Sequence, residues 1–589
     1  MTMRPNWIIG LLLPLCLALV GPVHGQSDFA TEVDLRPLSE IAVNTSGRLK
    51  SLGSHANAMM DAVSGPRKIG GREPLFTYLD MMFRPETYED ADVIYVKNKA
   101  VRQQIIGAFK QQVEDRPEIL EVQPDLMSRM DSFKATGLIS PTLLVDPSLS
   151  TLLARLKLDL IRSASQIETI ESATRIMRPE VLAFTLRVIP PPGSSTKERW
   201  RSITSAMLVP GQGEQASTLQ PQVTLGGLDA AQQDRIARAW YDLGTAWVGG
   251  DAPGVNDAAA RFQVELAGVN PELYPDRDRL AWESWYFRSD QLTRIWLVYM
   301  LSVILLLLGL VYQWRWARWS GMSVFLIALV LQTGAVMLRW YISGRWPNAN
   351  MFEAVTTSAW FGAVGALILE MLVWRTRMRT ILALAAATTS MFALMAANFL
   401  PVYLNPNIDN MMPVLHDIWL YIHTNVIIFS YVLIFMAAIS AFLYMVHRLF
   451  RGAPTYAKVG GAASLVLGTG AGSTDDGSEE RAHARRARLG ETLDGVTMLL
   501  MELSFVLLWA GLVMGAIWAD HSWGRPWGWD PKEVFALNTF IIFAILVHVR
   551  LKVHDKGFWT ALLAMIGAGV MLFNWIVINY VIVGLHSYA

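Results

Sequence analysis

The residue types and spacings able to do chemistry in this 589-residue chain are a tryptophan-rich stretch and three histidines. The stretch reads Trp518-Ala-Asp-His-Ser-Trp523-Gly-Arg-Pro-Trp527-Gly-Trp529-Asp530-Pro-Lys-Glu533. Indole faces offer a flat apolar platform, and the interleaved glycines let a planar ligand approach the backbone. Arg525 and Lys532 are cations able to pair with carboxylates on such a ligand. The rival reading is that these tryptophans anchor the chain at a bilayer interface, as tryptophan often does. Four of them within twelve residues, mixed with Gly, Asp, Arg and Lys, is dense for an anchor. Asp530 and Glu533 are read as ordering the loop rather than as transferring protons.

His423 lies one helical turn past Trp419 at the start of one long apolar segment, and His586 lies just beyond another, in Gly584-Leu585-His586-Ser587-Tyr588. A lone histidine in a membrane segment is often only a hydrogen-bonded packing residue, although such polar groups are functional by default. Two at one depth, flanking an aromatic platform, favour a ligand role, because imidazole on both faces is a standard way to hold haem iron. His548 differs. It sits in the helix that follows Pro531, roughly 25 Å deeper at 1.5 Å per residue, and cannot share an iron with the other two. As a ligand it needs a second site, with His447 as the local candidate partner; as a helix-end residue it merely sits near the headgroups. His416 and His521 share the face of the tryptophan loop, while His24, His55, His483 and His554 look incidental.

The elements that must position these groups are legible from hydropathy. Slightly more than half of the residues are hydrophobic and the formal charge is zero, which argues against nucleic acid as a partner. The N-terminus has Arg4, an apolar core from Trp7 to Val20 and small residues near Gly25, the parts of an export signal or an uncleaved anchor over 1–25. Cys16, the only cysteine, falls inside it, so a cleaved chain has no thiol for disulfides or for attaching haem to itself. Residues 26–290 read as an exported, mostly helical domain, with helical spacing over Lys97–Arg116, Leu152–Ile176 and Ala230–Leu266. The prolines at 190–192 and the polar stretch to Leu228 break that pattern, so two subdomains are conceivable. No catalytic constellation stands out there.

Residues 291–589 carry eight apolar segments: Thr293–Val311, Met322–Tyr341, Phe352–Trp374, Ile381–Leu400, Trp419–Val446, Leu493–Trp518, Val534–Leu551 and Trp559–Val581. With residue 290 outside, the inner loops hold about fifteen Lys and Arg against roughly four in the outer loops, as the positive-inside rule requires. The tryptophan loop, His423 and His586 then share the outer face. The segment at about 452–490 is Gly/Ser-rich, then acidic, then Arg-rich, and reads as a disordered cytoplasmic insertion. The expected fold class is all-α: a polytopic membrane helix bundle preceded by an exported, mostly helical soluble domain.

Trp523-Gly-Arg-Pro-Trp527-Gly-Trp529-Asp530-Pro-Lys-Glu533, in this topology, resembles the CcsA/ResC family of system II cytochrome c maturation. Trp419-Leu-Tyr-Ile-His423, Leu546-Val-His548-Val-Arg550 and Leu585-His586-Ser-Tyr follow in the family's order, and the resemblance covers all eight segments. Arg339-Trp-Tyr-Ile-Ser-Gly-Arg345 and Asn350-Met-Phe-Glu353 resemble a further family stretch, and Gly47-Arg-Leu-Lys50 a short element of longer, fused relatives. Pro526 stands where an aromatic is expected. The resemblance implies that His423 and His586 are external axial ligands of haem b carried as cargo, with His548 the ligand of a second, transmembrane haem site. It implies that Trp523, Trp527, Trp529, Asp530, Arg525 and Lys532 line the cargo site.

It further implies a bacterial inner-membrane protein that presents haem to apocytochrome c bearing Cys-x-x-Cys-His for thioether formation. A separate CcsB/ResB-like membrane subunit is the expected partner, because that half of the fused synthases is missing here. The rival functions are a haem exporter or chaperone without ligase activity, a transporter of another solute, and a purely structural assembly subunit. A transporter often shows internal repeats, and none is convincing in this sequence.

Overall fold

The computed structural model describes residues 29–578, apart from 46, 160–162, 194–198, 211–218, 222–224, 226, 290–291, 373–379, 409, 411–416 and 452–477. The export signal and His586, as well as His24 and His416, therefore lie outside the described residues. The described chain is mostly helical, and its strands form three two-stranded pairs. It divides into two compact units. One holds the described residues up to Val43 together with Met59–Tyr274; the other holds Asn44–Ala58 and the described residues from Pro275 onward.

The first unit is built from amphipathic helices. Lys99–Asp115 buries Val101, Ile105, Ile106 and Phe109, the one-face spacing of a core helix. The helical pattern expected over 152–176 resolves into Pro147–Lys157 and Ala164–Ile176. The pattern over 230–266 resolves into Ala230–Gly249 and Ala252–Ala267, with Gly250 left-handed between them. Periodicity carries across such short breaks and so hides them. At the centre, buried Asp80 accepts from Trp247 Nε1 at 2.9 Å and from Tyr88 Oη at 2.8 Å.

The second unit carries eight helices long and apolar enough to cross a membrane: Leu292–Val311, Arg315–Ser343, Met351–Leu372, Ile381–Phe399, Ile418–Phe450, Leu489–Trp523, Pro531–Lys552 and Lys556–Ile578. They are called spans one to eight below. Two of them outrun their apolar cores. Span two is helical already from Arg315, inside the expected loop, and span six continues through Ala519–Trp523, which hydropathy assigned to the tryptophan loop. Polar residues end a hydrophobic window without ending a helix. The Arg-rich end of the 452–490 segment differs from expectation in the same way, since the chain is helical from Ser478 into span six.

Small side chains let these helices approach closely, as lipid-embedded packing requires. Residues Ile381–Ala387 of span four are all buried, and spans five and six pack along much of their length. At the end opposite the tryptophan loop, Arg550 of span seven meets Asp494 of span six at 2.8 and 2.6 Å. There too Arg448 of span five meets Asp555 at 2.8 Å, and Asp555 caps span eight by accepting from Phe558 N at 3.1 Å. Burial alone would raise the Asp555 carboxyl, but Arg448 and the capped amide outweigh it and hold it below its usual range.

Candidate functional site

His423 is seated by span six. Its Nδ1 lies 2.7 Å from the Gly511 carbonyl oxygen, which can only accept, so Nδ1 carries the proton and donates. In the neutral ring the basic nitrogen is then Nε2, the usual arrangement when an imidazole binds a metal and its other nitrogen is oriented by a carbonyl. Gly515, one helical turn from Gly511, makes room for the ring: a Cβ there would lie 2.6 Å from His423 Cε1. Sequence reasoning selected the histidine and missed both glycines, because nothing local distinguishes them from other small residues of a packed helix.

The next two residues of span five are tied as well. Asn348 Nδ2 donates to Thr424 Oγ1 at 3.3 Å, and Trp346 Nε1 to Asn425 Oδ1 at 3.1 Å. The segment that supplies these groups hangs on Glu353, which is fully buried. Glu353 takes Arg339 at 2.8 Å, Arg345 at 2.7 Å and the Ala349 amide at 2.7 Å. The two family-like stretches around Arg339 and Asn350 thus form one ion-paired brace. Removing one partner of such a buried pair typically costs about 3–5 kcal/mol.

Between span five, span six and this brace lies a cavity of about 310 Å³. Its apolar walls include Ile427, Leu512, Trp518, Trp527 and Trp575, and its polar groups include His423, Asn348, Lys532 and Glu533. Two helical turns past His423, Tyr431 accepts a hydrogen bond from Asn574 at 2.9 Å, and both residues line the cavity. The size and the balance of many apolar groups with a few polar ones suit a small-molecule or cofactor site. An imidazole with a carbonyl-oriented Nδ1, indole walls and one ammonium fit a planar apolar ligand with a metal centre and an anionic edge.

The tryptophan loop contributes less of that lining than expected. Trp527, Pro526 and Lys532 face the cavity, so the residue that departs from the family pattern belongs to its wall. Trp518, read from sequence as the edge of the loop, is part of span six and also lines it. Trp523 instead packs edge-on against Trp518 at 4.8 Å. Trp529 is 74% exposed and Arg525 is exposed, and neither lines the cavity. The indoles of Trp527 and Trp529 stand at 86°, so they are not a continuous flat platform.

Asp530 and Glu533 order the loop. Asp530 caps span seven by accepting from Lys532 N at 3.1 Å, and the two carboxylates form a capping box around Pro531. Glu533 Oε2 also takes the amides of Gly528 at 2.9 Å and Asp530 at 3.1 Å. These two amides bracket Trp529, whose φ of 54° is left-handed and costs about 1 kcal/mol or more in a residue with a side chain. Gly524, also left-handed, ends span six without that cost.

His548 is well away from this cavity. Span seven runs unbroken from Pro531, so His548 lies roughly 25 Å along the helix from its start. It is exposed on the bundle surface, with Nδ1 donating to Ala544 O at 2.7 Å. Ile541 and Ile545, exposed at 43% and 47%, share its helical face. Among the described residues no three His, Cys, Asp or Glu side chains gather as ligands for a bare ion.

The cytochrome c assembly protein family matches residues 348–586, which include spans three to eight and all three singled-out histidines. The chain is 30% identical over 300 residues to the cytochrome c biogenesis protein CcsA of Synechococcus sp. (strain CC9311), covering 49% of this chain and 96% of that protein. It is 32% identical over 274 residues to the protein of the same name from Parasynechococcus marenigrum, 46% of this chain and 87% of that one. Protein NrfI of Wolinella succinogenes is 26% identical over 610 residues, spanning 99% of this chain and 59% of NrfI. The likeness to NrfI thus extends through the first unit as well as the spans.

Proposed function

The chain belongs to the CcsA family of cytochrome c biogenesis proteins, and on that premise we propose that it binds haem b at the outer face of a bacterial inner membrane and presents it to apocytochrome c. The observation that carries this reading is the seating of His423. Its ring donates to Gly511 O, rests on Gly515 and borders an indole-walled cavity of about 310 Å³. His586 is the second axial ligand, Lys532 pairs with a haem carboxylate, and Trp518, Trp527 and Trp575 cover the ring faces. Arg525 and Trp529 act at the mouth of the site rather than inside it.

Chemistry at the cargo needs no nucleophile from this chain. Each thiol of a Cys-x-x-Cys-His peptide adds across one vinyl group, sulfur bonding to one carbon and the proton going to the other. Nothing leaves and the addition is redox-neutral. What the chain supplies is position: an oriented imidazole, a water-poor apolar wall and a fixed register between vinyl group and thiol.

His548 serves a second site, which another membrane subunit completes. An ionisable side chain on the lipid-facing surface of a span is costly and rare, so its exposure beside Ile541 and Ile545 supports coverage by another membrane subunit of the CcsB/ResB type. Haem enters there and moves outward to His423.

The test is an absorption spectrum of the chain purified in detergent with that subunit, oxidised and dithionite-reduced. Sharp reduced α and β bands, weakened in His423→Ala and in His586→Ala, are expected. An intact, haem-free complex, or bands indifferent to both substitutions, would overturn the assignment.

A further inference from the structure

The segment Asn44–Ala58 lies far upstream of the first span in sequence, yet it belongs to the same compact unit as the spans. It consists of a hairpin and the first part of helix Leu52–Ser64. Strand Arg48–Ser51 delivers the Arg48 guanidinium, 9% exposed, to two acceptors: Nη2 meets Glu283 at 2.7 Å, and Nη1 meets Ile408 O at 2.6 Å. Glu283, 1% exposed, also accepts the Ser51 amide at 3.2 Å.

A second guanidinium holds the same loop. Arg339, seated on Glu353, donates to Pro406 O at 2.8 Å and to Asn407 O at 3.3 Å. Asn350 Nδ2 also donates to Asn407 O, at 3.0 Å, and Asn57 Nδ2 to Asn407 Oδ1 at 3.2 Å. Three consecutive carbonyls, Pro406 to Ile408, are thus gripped by two buried Arg–Glu pairs. One pair belongs to the brace behind the cavity and the other to the upstream hairpin. Buried ion pairs are a poor source of stability, because desolvation offsets most of their attraction, and their best-attested use is to fix one arrangement among several. What they fix here is the run Pro406–Ile408, which Asn350 ties to the segment whose Asn348 bonds Thr424, the neighbour of His423 in span five.

We infer that Asn44–Ala58 is a working arm of the histidine site, and that Arg48, seated on Glu283, is a positioning residue for His423. The inference rests on the reading of His423 as a haem ligand. Arg48 touches neither His423 nor the cavity; it acts by setting the loop carbonyls to which Asn350, a residue of the cavity wall, is also bonded. Lysine cannot substitute, since one ammonium on a flexible stem does not reproduce the planar fork that spans carboxylate and carbonyl together.

The experiment is a haem titration of the full chain, purified with its membrane partner and followed through the reduced α band. The variants are Arg48→Gln/Glu283→Gln, Arg48→Lys and His423→Ala. The double variant leaves no stranded charge, and Arg48→Lys keeps the charge that Glu283 needs if the double variant does not accumulate. Folding is checked by yield, gel filtration and thermal unfolding. The expected result is about tenfold weaker haem binding with a weakened low-spin band, at unchanged folding. Wild-type affinity and spectrum in folded Arg48 variants, with His423→Ala impaired, would overturn the role of the arm and leave the haem reading standing. A His423→Ala chain indistinguishable from wild type would remove both.

Discussion

Gly515→Ala separates the placement of His423 from the stability of the helix that seats it. An added Cβ would lie 2.6 Å from Cε1, 2.9 Å from Nδ1 and 3.1 Å from Nε2 of His423. Restoring an ordinary 3.4 Å contact from 2.6 Å moves the ring by about 0.8 Å from the position in which the Gly511 carbonyl orients it. Forcing a methyl into a packed site costs about 1–3 kcal/mol, and loss of the oriented hydrogen bond about 1 kcal/mol. Against this, alanine is better than glycine inside a helix by about 1 kcal/mol, which leaves a net cost of about 1–3 kcal/mol, a modest loss against which the folded chain is expected to persist. The displacement falls on the ligand. A misplacement near 1 Å costs up to about a hundredfold where geometry is demanding, and tenfold to a hundredfold weaker haem binding is expected. Gly569→Ala on span eight, where nothing lies within 4 Å of the added Cβ, is the control. Haem titration and thermal unfolding are measured on the same preparations. A Gly515→Ala protein that binds haem like wild type would refute the claim that this glycine exists to seat the imidazole. So would one whose loss of binding is matched by loss of folding.

Two further outcomes are expected. Glu533→Ala releases the amides on either side of Trp529 together with half of a capping box, worth about 1 kcal/mol of local order, so limited proteolysis at 524–530 should speed up about fivefold. Glu533→Gln, which keeps an acceptor oxygen, should lie between; equal cleavage rates in all three proteins would show that the loop is held otherwise. Burial, with Lys50 adding repulsion, pushes the His55 imidazole down to about 3, so the folded chain keeps it neutral while the unfolded chain protonates it near the usual 6.5. The unfolded state then binds the extra proton between these values, and stability falls as pH drops through that window by roughly 1.4 kcal/mol per unit. His55→Asn should flatten the slope in thermal unfolding between pH 6.5 and 4, and an unchanged slope would exclude His55 as its source.

Local pattern was enough for the membrane helices and for the start of span seven. Eight spans follow from runs of apolar residues that must satisfy their own backbone in lipid, and Asp530 and Glu533, read as ordering the loop, do so through a capping box whose partners lie only three residues apart. His423 and Trp527 were recognisable by residue type and neighbourhood. What the sequence left undecided are meetings between distant faces. Nothing local says that His423 rests on Gly511 and Gly515, that Trp518 rather than Trp529 borders the cavity, or that Arg48 braces a loop next to residue 408. A helix fixes the direction of each side chain relative to its own axis, and hydropathy reports only which side is apolar. Which residue of a neighbouring helix stands opposite depends on rotation and sliding of whole helices, and these are set only when all of them pack together.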